Sequence, residues 1–305
     1  MKLKEVKNKI NATQNIYGLT QAMELIAAMK VRKLKNATLN SRPFVRKSIE
    51  LLIKLIEYQK SLQEDVQNNL QDDKKNNPSV LTQKILAVVF ASDKGFCGVY
   101  NKNILRYAQR QIEQLKKEGE VELITIGKKT TNFFKTKKYT IKMEFPDIKE
   151  FEEKKRTDEL FKYLEDFYQK GAYKKILLFA THYFTSFVQS PRTVQVFPAD
   201  EKKLREMMKE TAGKTVSEKK IDYIFEPSFE EIFDEALSQL MAAELYHAVL
   251  EARTSEEASR MMAMKRAMDN AKEVIKNLTL EYNKARQAQI TSEVSEITSA
   301  KEAIE

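Results

Sequence analysis

Near the C-terminal end, Met261, Met264, Met268, Ala271, Ile275, Leu278, Tyr282 and Ala285 alternate steps of three and four residues without a fault. That spacing is a heptad seam: it keeps one apolar stripe facing a partner helix. The stretch around it, residues 228–305, contains no Gly and no Pro. Ser228 with Glu231 reads as a capping box, so the predicted helix starts there and nothing stops it. At about 1.5 Å per residue such a helix reaches roughly 117 Å, too long to fold away inside one domain. Its stripe needs a second helix. At the other end of the chain Leu3, Val6, Ile10 and Thr13 recur at three and four, and after a shift Ile16, Leu19, Met23 and Ile26 continue the pattern. Only Gly18 and Pro43 interrupt this region. The two ends are therefore expected to pair as a long antiparallel coiled coil, residues 1–60 with residues 228–305.

Between them the periodicity changes. Residues 61–80 are rich in Gln, Asn and Asp and read as a polar linker. Residues 84–91 then form a short continuous apolar run, the mark of a strand covered on both faces. A helical stretch at 101–117, a strand at 121–127, a short helix at 128–135 and a strand near 139–143 follow. A helix at 151–169 and strands at 175–180, 193–197 and 221–225 complete the series. Strands alternating with helices predict a largely parallel sheet. The expected fold is thus a long coiled coil with a Rossmann-like α/β domain, residues 81–227, inserted between its two helices.

Composition narrows the function. The charged fraction is 32%, Gly and Pro number only 7 and 6, and no run of about 18 apolar residues offers a membrane span. The N-terminus lacks a signal-peptide apolar block, and Glu5 argues against an import presequence. One Cys excludes an internal disulfide and suits a reducing compartment. The net charge of +9 is not spread evenly. Residues 1–60 carry 13 Lys/Arg against 4 Asp/Glu, while the remainder carries 40 of each. The N-terminal helix should therefore face an acidic partner.

Candidate chemistry is sparse. Ser92 to Gly98 lies between a strand and a helix, where phosphate-binding turns sit. It matches neither the P-loop nor the dinucleotide pattern, so a tight turn is the better reading. Cys97 would need a base to act as a nucleophile, and nothing places His182 or His247 beside it. No catalytic residue, metal site or cofactor is expected.

Three blocks of residues resemble the gamma subunit of the rotary F-type ATP synthase. Residues Ile10 through Lys33 look like that family's N-terminal helix, with Met23 in its Thr-x-Ala-Met-Glu setting. Residues Ser92 through Asn101 look like its Ser-Asp-x-Gly-Leu-Cys-Gly-x-x-Asn turn. Residues 263–271 and 282–293 resemble its C-terminal signature. Gly18, Phe96, Val99 and Gln289 depart from the family pattern.

The resemblance implies a non-catalytic shaft turning inside a ring of alpha and beta subunits, with the epsilon subunit and the membrane c-ring at its foot. It implies a peripheral position on the cytoplasmic side of a bacterial inner membrane. Arg286, Gln287 and Thr291, with Glu293, are implied as a polar catch on beta-subunit loops. Ile290, Val294, Ile297 and Ile304 are implied as an apolar bearing. Met23 and Arg260 match coupling positions. Lys9, Lys30, Arg32 and Lys33 are implied to face acidic loops of beta, and Tyr223 and Glu226 to lie at the foot. Two other classes remain in view: a basic coiled-coil adaptor for nucleic acid, and a thiol-dependent α/β enzyme acting through Cys97.

Overall fold

The computed structural model describes residues 3–66, 84–145, 152–199, 226 and 228–302. Helix α1 spans Leu3–Val66 and α5 spans Phe229–Glu302. Between them lie β1 (Ile85–Phe90), α2 (Tyr100–Leu115), β2 (Val121–Ile126), α3 (Lys128–Thr136), β3 (Ile141–Phe145), α4 (Glu153–Gln169), β4 (Lys175–Tyr183) and β5 (Gln189–Phe197). The alternation of strands and helices expected from the sequence is present. Helix α1 continues through Pro43 and runs six residues past the start expected for the polar linker. The rest of that linker and the strand expected at 221–225 lie outside the described residues.

The chain divides into two compact units, and both long helices contribute to each. One comprises residues 31–95 and 99–256. Its five-stranded sheet has the order β3-β2-β1-β4-β5, with β1, β2, β3 and β4 parallel and β5 antiparallel to β4. The order is Rossmann-like, and a two-strand hairpin closes one edge. Strand β1 sits at the centre, buried along its whole length. Its residues divide by alternation. Leu86, Val88 and Phe90 join a core with Leu160 and Leu164 of α4 and Leu245, Ala248, Val249 and Ala252 of α5. Ile85, Ala87, Val89 and Ala91 join Ile104, Ala108 and Ile112 of α2 and Phe134 of α3. Helices thus cover both faces, and each large side chain removed from water contributes about 1.5–3 kcal/mol. A third cluster packs Ile49, Leu52 and Leu55 of α1 against Ala236 and Leu240 of α5.

Helix α5 begins as the capping residue predicts, with the Ser228 hydroxyl accepting the Glu231 amide at 3.2 Å.

The other unit comprises residues 1–30, 96–98 and 257–305. Lys30 pairs with Glu257 at 3.9 Å. From that point the half-buried or buried stripe runs back along α1 to Leu3 and forward along α5 to Ala285. One helix ends its share where the other begins, so the pair is antiparallel. On α5 every seam residue expected from the sequence is buried or half-buried.

On α1 the expected shift does not occur. The covered positions are Leu3, Val6, Ile10, Thr13, Tyr17, Thr20, Glu24 and Ala27, an unbroken heptad, and the same spacing continues through Val31, Leu34 and Thr38. Ile16, Leu19 and Ile26, expected in the seam, are exposed, while Met23 is half-buried, as Leu3, Ile10, Thr13, Tyr17 and Glu24 are. The physical reason is fit: small residues at the contact let two backbones approach. The seam threonines are tolerated because their hydroxyls bond back along the helix, Thr13 to the Lys9 carbonyl at 2.8 Å and Thr20 to the Ile16 carbonyl at 2.9 Å.

Candidate functional site

The turn after β1 is the first place to look for chemistry, and several of its own side chains are spent on holding it. Asp93 Oδ1 accepts the Lys128 amide at 2.7 Å, so this carboxylate of the turn is spent on the amino end of α3, the helix after β2. Asn101 Oδ1 accepts the Ser92 amide at 3.1 Å and ties the turn to α2. Gly127, at the start of α3, has φ of 89°, and a Cβ there would lie 2.2 Å from the Ala91 carbonyl oxygen. Only glycine allows that approach. These are devices for holding strand–turn–helix corners together. Cys97 is buried, and neither histidine is available to it: both rest on Glu251, on α5.

A surface for partners is better developed. Beyond Ala285, α5 continues with every side chain exposed through Ala300. Arg286, Gln287, Thr291 and Glu293 all lie on this stretch. The Thr291 hydroxyl donates to the Gln287 carbonyl at 2.9 Å, and the Gln289 amide donates to Glu293 at 2.8 Å. These bonds are local to the helix and leave its outer surface for other contacts. Ile290, Val294 and Ile297 are also exposed, at spacings of four and three that set them along one stripe. Ile304 lies outside the described residues.

Within the same unit, Arg260 is buried, and its guanidinium meets Glu257 at 2.8 Å. Glu257 therefore takes cations from both helices, Arg260 from α5 and Lys30 from α1. This makes Arg260 part of the seam's end rather than of its outer surface. Lys9 is exposed. In the other unit Arg32 and Lys33 are exposed on α1. Glu226 is exposed, and Tyr223 lies outside the described residues.

Sequence reasoning missed two features. The first is a set of outward apolar side chains on α1, Ile16, Leu19, Leu25, Ile26 and Met29, all exposed. Ile16, Leu19 and Ile26 keep a heptad register one residue from the true one, and Leu25 and Met29 lie outside it. The second is the polar cluster on Glu251, whose strand partners come from 59 and 69 residues away. Only the His247 spacing of four residues is local.

Comparison with known proteins gives a consistent result. A family model described as ATP synthase matches residues 2–304. The ATP synthase gamma chain of Halothermothrix orenii is 32% identical, covering 99% of this chain and 99% of its own. That of Heliobacterium modesticaldum is 30% identical, covering 97% and 96%. In fold, the chain is similar to one from the rotor of the Euglena gracilis mitochondrial ATP synthase, with a TM-score of 0.60 at 15% identity, covering 94% of this chain and 98% of that one. It is also similar to one from the central stalk and c-ring of the Tetrahymena thermophila enzyme, with a TM-score of 0.56 at 22% identity, covering 82% and 99%.

Proposed function

This chain belongs to the ATP synthase gamma-chain family, and from that premise we propose that it is the central-stalk rotor, coupling proton flow through a membrane sector to ATP synthesis and hydrolysis on partner beta subunits. It carries no catalytic site of its own. Its partners are the alpha and beta subunits around the coiled coil, with the epsilon subunit and the c-ring at the foot. It works peripherally, at the cytoplasmic side of a bacterial inner membrane. Among the described residues no helix is long and apolar enough to cross a membrane, so the chain reaches the membrane through other subunits in this reading.

One observation carries the proposal. Helix α5 keeps its regular form for about four turns past the end of its partner, with an apolar stripe at Ile290, Val294 and Ile297 and polar groups at Arg286, Gln287 and Thr291 all exposed. A lone helix of that length is marginal in water, and its apolar stripe calls for a collar. The exposed side chains Ile16, Leu19, Ile26 and Met29 on α1 call for a partner in the same way.

The mechanism follows from asymmetry. The two sides of such a shaft present different side chains, so each surrounding subunit meets a different surface. Different contacts stabilise different conformations of otherwise identical subunits. Turning the shaft hands each subunit the next set of contacts and shifts its binding equilibrium. Lys9, Arg32 and Lys33 supply exposed cations for acidic loops of the beta subunits. The test is affinity purification of the tagged chain from its source cell. Recovery of alpha and beta subunits with ATPase activity supports the reading, and recovery of nucleic acid instead overturns it.

A further inference from the structure

Both histidines of the chain converge on one buried carboxylate. Glu251, 3% exposed on α5, accepts from His182 Nδ1 of β4 at 2.7 Å and from Arg192 of β5 at 2.6 Å, both on Oε2. Its Oε1 faces His247 Nε2, one turn earlier on α5, at 3.3 Å. Arg192 pairs with Ala180, and Ala180 lies two residues from His182 on the same strand. The two strand donors therefore share the sheet face that carries α5. Burial pushes the Glu251 carboxyl up, but the bonds from His247, Arg192 and His182 prevail and hold it below the usual range. It stays ionised. Two further bonds grip the same stretch of helix: the Tyr100 hydroxyl of α2 donates to the Ala252 carbonyl at 3.1 Å, and the Ser255 hydroxyl to the Thr181 carbonyl at 3.4 Å.

We propose that Glu251 is a positioning residue that locks the rotational setting of α5 against β4 and β5, so that turning force passes between the helix and the sheet through directional bonds. The proposal rests on the rotor reading. Apolar packing is non-directional, and the α5 side of this contact includes the small residues Ala248 and Ala252. Such a surface holds a helix close but resists spinning weakly. A carboxylate gripped by strand donors does resist. At a radius of roughly 5–6 Å, a turn of about 10° displaces the group by about 1 Å, enough to lose hydrogen-bond geometry. Burying a charge is costly, and an apolar core of the same volume is often at least as stable. A role in register, not in stability, explains why the cluster stands where it does.

The test uses the assembled complex reconstituted in vesicles, with Glu251→Gln, His182→Gln and Arg192→Met variants. We expect ATP hydrolysis within twofold of wild type, while ions pumped per ATP fall at least threefold in Glu251→Gln and the torsional stiffness of single rotating complexes falls at least twofold. Arg192→Lys, which keeps the cation, recovers most of the loss seen in Arg192→Met. Unchanged pumping and stiffness in Glu251→Gln overturn the proposal. So does a parallel loss of hydrolysis, pumping and assembly, which marks a merely structural role. Should Glu251→Gln fail to fold, Arg192→Met decides, because that side chain is 38% exposed and its loss leaves the core intact. A wild-type chain that assembles with no ATPase subunits sinks the rotor reading itself. A wild-type complex that pumps no better than Glu251→Gln sinks the lock alone.

Discussion

The carboxylate of Asp93 accepts the backbone amide of Lys128 at 2.7 Å, across 35 residues of sequence. It closes the amino end of α3 from within the chain. Replacing Asp93 with Ala should therefore cost about 1–2 kcal/mol, the usual loss for a helix cap that also faces the helix dipole. Urea denaturation followed by circular dichroism measures it. The turn from Ser92 to Gly98 matches neither nucleotide-binding pattern, so the purified chain should bind no ATP in equilibrium dialysis; saturable binding that competes with inorganic phosphate would contradict the assignment of this turn.

Gly127 sits where a Cβ has no room. Gly127→Ala should destabilise the α/β unit by about 1–3 kcal/mol from backbone strain alone, with the clash against Ala91 adding to it. A melting temperature within a degree of wild type would show that this corner yields more easily than its geometry says.

Ile26 and Ala27 are neighbours with opposite fates, 49% and 1% exposed. Ala27→Asp buries an unpaired charge in the seam and should cost about 3 kcal/mol or more. Ile26→Asp should change folding by no more than about 0.5 kcal/mol and instead lower the yield of alpha and beta subunits on purification. The reverse ranking would restore the shifted register that the apolar pattern alone suggests. Leu278→Asp, on the facing stripe, should behave as Ala27→Asp does; native mass spectrometry of an intact complex would count against it.

Cys97 is buried, and both histidines are engaged elsewhere. Cys97→Ser should leave ATP synthesis by the assembled complex intact, and the native thiol should react with a maleimide only after unfolding. A variant that assembles normally but no longer makes ATP would return the thiol-enzyme reading to consideration.

Stability should fall on both sides of neutrality for reasons located at Glu122. Its carboxyl is held low, first by the Tyr173 hydroxyl at 2.7 Å and then by Lys84 at 3.0 Å, against the opposing effect of burial. A depressed carboxyl contributes stability above its unfolded value, about 4.3, and loses it as pH falls through the lower folded value. The Tyr173 hydroxyl is raised, by burial first and by Glu122 second. Its contribution is present below about 10 and is lost as pH rises beyond that. Glu122→Gln should flatten the acid limb of a stability–pH profile; an unchanged acid limb would place the effect elsewhere.

Much of this is readable in the sequence, and the reasons differ by element. The α5 seam from Met261 to Ala285 was legible because its large apolar residues repeat without competition. The central strand was legible because burial on both faces leaves a continuous apolar run. The α1 seam was misread at Ile16, Leu19 and Ile26. There the larger apolar side chains turn outward, and Thr20 and Ala27 take the contact. Two apolar stripes on one helix cannot be ranked by hydrophobicity alone. Of the cluster at Glu251 only the His247 spacing on α5 is local; its strand donors meet it only once β4 and β5 have paired.

The steps of three and four along α1 and α5 average 3.5 residues, short of the 3.6 of a straight helix. To keep the stripes facing, the two strands of the coil must wind left-handed about each other. A wound pair is chiral: twisting it one way tightens the coil, and twisting it the other way loosens it. ATP hydrolysis and ATP synthesis would load the axle in opposite senses. Its elastic response should therefore differ between the two directions of running.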